Sequence, residues 1–308
     1  MNLFRACSLF LWCLFLLASV PPSFAATRSV AVILTSDKGP YQETYKGVRD
    51  FFAERNLSLT ITEYNLEREN PDDVIRKVSQ KRPDLLLTIG TRATEFAKDH
   101  VKNLPVVFSM VLDPKPFSDP HFTGVSLEIP LSAKLSGTRK ILPAAKRIGV
   151  IYSPESEGEY KELVHSAEGA GFQIIGKRIL SAREFPDALK DLSWRIDAFL
   201  MVPDATLYFP QSVKHLLLSS VQDKFPVIGL SASYTRAGAM ISFESDYREV
   251  GRQTGEVVSR VLSGEAPGAI PPSGPRKIRY SLNLITADRL GLSIPSSVIK
   301  EAAEVIRP

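Results

Sequence analysis

Hydroxyls and carboxylates recur just beyond short apolar runs along this chain. They are Ser36 and Asp37, Gly90-Thr91-Arg92, Asp113, Ser153, Asp204, Ser231 and Asp246. Groups of this kind suit recognition of a small molecule. A ligand carboxylate would sit on the amides of Thr91 and Arg92, since Gly90 lets the backbone approach closely. An ammonium group would go to Asp113 or Asp204. Each group also has a plainer role, because Ser, Thr and Asp ahead of a helix cap its free amides. Bond-breaking chemistry finds no such support. There is no Gly-x-Gly-x-x-Gly, no phosphate loop and no Gly-x-Ser-x-Gly turn. His100, His121, His165 and His215 are scattered, with no acid at metal-ligand spacing. The chain reads as a binder, not an enzyme, with no cofactor and no metal.

The elements that position these groups are an alternation of strands and helices. Val30 to Leu34, Asp84 to Ile89 and Pro105 to Phe108 are short apolar runs typical of strands buried on both faces. Between them, Tyr41, Tyr45, Val48 and Phe52 recur at helical spacing, and Asn70-Pro71-Asp72-Asp73 starts a helix. After Gly124-Val125-Ser126 the pattern restarts with Arg147 to Tyr152, Phe172 to Ile175, Ala198 to Val202, Pro226 to Gly229 and Met240 to Phe243. Ser181 to Glu184 forms a capping box. Val250, Thr254, Val257, Val258, Val261 and Leu262 stripe a long helix, and Ser296 to Ile306 reads as a last one. Two rounds of this alternation predict an α/β protein of two Rossmann-like lobes with parallel sheets. A single eight-stranded barrel is the alternative, and the Pro-bearing break between Asp113 and Pro130 argues against it.

Arg5, then an apolar run from Ala6 to Ala18, then Ser23-Phe24-Ala25 predicts a secretory signal peptide over residues 1–25. Cys7 and Cys13 both fall within it, and Trp12 before Cys13 argues against lipid attachment. The mature chain then has no thiol and resides in the periplasm. Its 37 basic and 34 acidic residues show no basic stripe, so nucleic acid is not an expected partner.

Asp84 to Thr91, Leu104 to Phe108 running on to Asp113-Pro114, Phe122 to Ser126, Val202-Pro203-Asp204, Phe225 to Gly229, Asp246 to Gly251 and Asn283 to Pro295 occur in an order that resembles one family across nearly the whole mature chain. It is the family of ABC transporter substrate-binding proteins that includes receptors for tryptophan and other aromatic amino acids. The resemblance implies a type I periplasmic-binding fold with a hinge of three crossovers. The lobes would comprise residues 28–125 plus 235–268 and residues 126–234 plus 275–308. It further implies a monomer that clamps its ligand near Thr91, Asp113 and Asp204 and docks on an ABC permease in the inner membrane. Arg92 and the stretch Lys115 to His121 depart from the family pattern beside the expected cleft. The ligand is therefore written as a small polar solute, an amino acid or related compound. A ligand sensor for a membrane signalling protein is the second reading and an exported hydrolase the last. A sugar-responsive repressor would carry a DNA-binding helix-turn-helix where this chain carries its leader.

Overall fold

The structure is a computed structural model that describes residues 27–308; the expected signal peptide over residues 1–25 lies outside the described residues. Two sheets form among these residues, and they exclude the single barrel. The first joins β1 (Arg28–Leu34), β2 (Leu59–Asn65), β3 (Leu85–Ile89), β4 (Val106–Val111) and β5 (Phe122–Ser126) in the order β2-β1-β3-β4-β5, all parallel. The second joins β6 (Arg147–Tyr152), β7 (Gln173–Arg178), β8 (Ala198–Leu200), β9 (Val227–Gly229), β10 (Ile241–Ser245), β11 (Ile278–Asn283) and β12 (Glu304–Ile306). Its order is β12-β11-β10-β9-β8-β6-β7, with β10 and β11 antiparallel.

Alternation along the strands explains why each apolar run is buried on both sides. In β1, Val30, Val32 and Leu34 face a core with α1 (Gly39–Glu54) and α9 (Tyr247–Leu262). Ala31 and Ile33 face the opposite core, with α2 (Pro71–Lys81) and α3 (Thr91–His100). The second sheet is covered in the same way. On one face lie α4 (Leu131–Ile141), α5 (Glu157–Ala170), α10 (Leu284–Leu290) and α11 (Ser296–Glu301). On the other lie α6 (Phe185–Ser193) and α7 (Pro210–Gln222), while α8 (Ala232–Ala237) packs beside β10 and β11.

Two expectations are corrected. The division at residue 235 fails, because α8 and β10 belong to the second lobe and the chain returns to the first only at Asp246. The closing helix also stops early. Ala302 leaves helical geometry, and Glu304–Ile306 pairs with β11 as an edge strand.

The lobes repeat one device at the amino ends of their strands. In the first, Asp84 accepts from Ser29 N at 2.7 Å, Ser29 Oγ at 2.8 Å and Arg28 Nη1 at 3.0 Å. In the second, Asp197 accepts from Lys146 N at 2.9 Å, Arg147 N at 2.8 Å and Arg147 Nη2 at 2.7 Å. The Arg147 guanidinium outweighs partial burial and holds Asp197 down at about 2. A carboxylate depressed on folding stabilises above its unfolded value and loses that contribution as pH falls through the folded one. Asp197→Asn is therefore expected to melt earlier than the wild type at pH 7, by on the order of 1 kcal/mol after solvent screening. The two should converge as pH approaches 2. Melting curves recorded from pH 7 to pH 2 check this, and a gap that stays constant would refute it.

Candidate functional site

Three crossovers join the lobes: residues 127–130, the Ser245–Asp246 step and the stretch from Ser273 to Lys277. They are held as one unit. Ser126 N donates to Ser273 O at 2.9 Å, Ser273 N to Gly124 O at 3.1 Å and Asp246 N to Lys277 O at 3.1 Å. The buried Gln253 of α9 clasps the third crossover. Its Nε2 donates to Ser273 Oγ and Gly274 O, each at 2.9 Å, and its Oε1 accepts from Arg276 N at 3.1 Å. Met110 supports the first crossover. It sits at a bulge in β4 with φ of +60°, which lets Val111 O accept from Leu127 N at 2.7 Å. A left-handed φ is costly for a side chain of this size, and such strain concentrates at working parts of a fold.

The expected site residues fall at the carboxyl ends of the strands, where open parallel sheets bind ligands. In the first lobe the buried Ser36 donates through Oγ to Glu67 Oε2 at 2.5 Å, and Glu67 also accepts from Asp37 N at 3.2 Å. Those two bonds hold the Glu67 carboxyl below its usual range. Asp37 accepts from Asn65 Nδ2 at 2.6 Å and from Gln42 Nε2 at 3.3 Å, and it pairs with Arg68. Gly90 opens α3 with φ of +103°, which favours glycine, and the Tyr41 ring lies against it: a β-carbon there would come within 2.6 Å of Tyr41 Cε1. Thr35 Oγ1 accepts from Ala93 N at 3.1 Å and caps that helix from the neighbouring strand. Thr91 Oγ1 accepts from Leu112 N at 3.4 Å. Arg92 and Asp113 are exposed, and Asp113 accepts from Lys115 N at 3.0 Å, a local turn.

In the second lobe Asp204 is buried and fully occupied. Oδ2 accepts from Ser153 Oγ at 2.7 Å and Ser156 Oγ at 2.6 Å; Oδ1 accepts from Thr206 N at 2.9 Å and Thr206 Oγ1 at 2.6 Å. Burial pushes its pKa up, but the hydroxyls and the amide together outweigh it, and the net position lies below the usual carboxylate range. Four acceptor positions are about all a carboxylate has, so Asp204 has none left for an ammonium group. It organises the loops after β6 and β8 instead, with Glu155 Oε1 accepting from Ala205 N at 3.2 Å. The hydroxyls of Ser156 and Thr206 complete this cluster. Their only signal was a pair of hydroxyls flanking strand ends.

Ser231 precedes α8 without capping it through its side chain. Asp246 caps α9 by accepting from Glu249 N at 3.2 Å, and it pairs with Lys277 Nζ at 2.8 Å, so it serves the hinge. Among the described residues no hydrogen bond joins the Ser36–Glu67 cluster to the Ser153–Asp204 cluster. No group of His, Cys, Asp and Glu among them could hold a metal ion, and no helix is long and apolar enough to cross a membrane.

Two hinged α/β lobes with polar strand ends define a type I periplasmic-binding fold. The model of the ABC transporter substrate binding protein family matches residues 29–306, and the chain belongs to that family. It is a family of binding proteins, not of enzymes. A tyrosine-binding protein of Clostridioides difficile (strain R20291) is 24% identical over 227 residues, 70% of this chain, and the match spans 65% of that protein's length. The ABC domain in complex with L-Trp from Streptococcus pneumonia is 24% identical, covered over 91% of this chain and 100% of its own, with a TM-score of 0.58. A ligand-free, open substrate-binding protein with adhesive properties from Clostridium difficile is 19% identical, covered over 92% and 100%, with a TM-score of 0.74.

Proposed function

We propose that the chain is the periplasmic receptor of an ABC importer, that it takes an aromatic amino acid between its lobes, and that it hands this ligand to a permease in the inner membrane. The observation that carries the reading is the hinge: three crossovers joined by backbone hydrogen bonds, the third of them clasped by Gln253, with ordered polar loops at the strand ends on both sides. The tyrosine-binding relative and the L-Trp complex narrow the ligand class. The leader expected over residues 1–25 is consistent with export. A ligand touching both lobes favours the closed form only through the contacts that form adds. A ligand that binds the folded chain and not the unfolded one registers as added stability.

The test is a melting-temperature panel on the mature chain. Saturation a hundredfold above Kd adds about 2.7 kcal/mol, which in a protein of this size raises Tm by roughly 5–10 °C. L-Trp or L-Tyr should produce that rise and short polar amino acids should not. If no amino acid shifts Tm, the reading fails.

A further inference from the structure

Three carboxylates crowd the carboxyl end of β10 and its neighbours, and two of them are neutralised. Glu304 takes both of its hydrogen bonds from the Arg236 guanidinium, each at 2.8 Å, and Asp246 pairs with Lys277. Glu244 is the third. It is half-buried, and it makes no hydrogen bond or ion pair among the described residues. Arg279 stands opposite it in the β10–β11 ladder but is exposed and outside ion-pair distance. Burial pushes the Glu244 carboxyl up; Arg279 and Arg236 lower it, while Glu304 and Asp246 raise it. A partly desolvated carboxylate without a partner is costly, and a cation brought to it recovers that cost.

The surroundings supply the rest of a ligand site. The β9–β10 register pairs Ser242 with Gly229, and β9 ends there, two residues before Ser231. Tyr247, three residues beyond Glu244 across the crossover, opens α9 of the first lobe. Burial pushes the pKa of its phenol up, and the charges of Glu244 and Tyr41 push it the same way. Tyr41 in turn lies on Gly90. The crossover thus sets an unpaired carboxylate of one lobe three residues from a tyrosine of the other.

We propose that Glu244 receives the ammonium group of the bound amino acid, and that Tyr41 and Tyr247 line the same end of the cleft. This rests on the reading of the chain as an amino-acid receptor. Asp204 holds the loops of the second lobe in place, and Glu244 supplies its charge.

The experiment compares the wild type with Glu244→Gln by calorimetric titration of four probes: L-Trp, L-Tyr, and the same molecules without the amino group, indole-3-propionate and 3-(4-hydroxyphenyl)propionate. Charge-assisted hydrogen bonds of this kind are worth roughly a 10- to 100-fold change in affinity. Glu244→Gln should weaken the favoured amino acid by about that factor and leave its deaminated analogue unchanged. Its melting temperature should hold or rise, because the substitution removes an unpaired charge. An unchanged preference for the amine in Glu244→Gln would overturn the assignment while leaving the receptor reading intact. A fall in Tm with parallel weakening of both probes would overturn it too, since that marks a structural residue. If the wild type binds none of the four, the receptor reading fails and this inference falls with it.

Discussion

Gly251→Val is expected to lower the unfolding free energy by about 3 kcal/mol or more, enough to bring melting down by roughly 10 °C. Helices α1 and α9 touch backbone to backbone. A β-carbon on Gly251 would fall inside the van der Waals radius of the Thr44 carbonyl oxygen, and one on Gly47 would do the same to the carbonyl oxygen of Arg248. Ordinary overpacking costs about 1–3 kcal/mol because a neighbouring side chain can turn away. Here the neighbour is main chain, so the helices must separate. That separation strips Val250, Val258 and Phe51 of their packing and pulls on the Arg248–Asp50 and Arg252–Glu54 pairs at the rim. Those pairs are exposed and contribute little on their own. Gly169→Ala is the matched control. It lies in α5 with nothing within 4 Å of the added carbon, and it should be neutral or slightly stabilising. Denaturant melts of both variants check the contrast. Equal effects would show that the α1–α9 contact is looser than its geometry.

The second large effect belongs to Asp204. Asp204→Ala should cost about 3–5 kcal/mol and abolish ligand-induced stabilisation in the same protein. Its carboxylate is the shared acceptor for Ser153, Ser156 and Thr206, and each hydroxyl left without a partner in a buried site is penalised. Both loops that carry the polar strand ends of the second lobe lose their anchor together. Asp204→Asn retains one carbonyl oxygen, and the hydroxyls can turn to accept from its amide. It should lose less than half as much stability and keep a measurable ligand response. The ranking wild type, Asn, Ala in both stability and ligand response is the expected result. An Ala variant that melts like the wild type would refute the organising role.

Much of the architecture was legible because burial on both faces writes itself into sequence as an unbroken apolar run. Val30 to Leu34 and Leu85 to Ile89 admit few other readings, and the stripe Val250, Thr254, Val257, Val258 and Val261 is buried along α9 as its spacing required. Sheet membership was not legible at β10. Ile241 to Phe243 is apolar in either lobe, and what places it is the antiparallel pairing with β11, made by a segment about forty residues further on. The edge strand Glu304–Ile306 is three residues long, too short for any period to declare itself.

The site was legible as a set of loops but not as a division of labour among them. Type and position marked Asp204 as a carboxylate at a strand end. They could not reveal that Ser153 and Ser156, about fifty residues earlier, would saturate it. Glu244 closes an apolar strand, where type and position make it one polar strand end among several. Its distinction is the partner it lacks, and that emerges only once Arg236 and Lys277 are seen committed elsewhere.

X-ray scattering from the mature chain with and without L-Trp or L-Tyr tests the clamp most directly. Two lobes turning about the crossovers at residues 127–130, 245–246 and 273–277 should contract on binding, with a smaller radius of gyration at saturation and no change in mass. A ligand bound at full occupancy with an unchanged scattering curve would contradict closure and leave the hinge without a role in recognition.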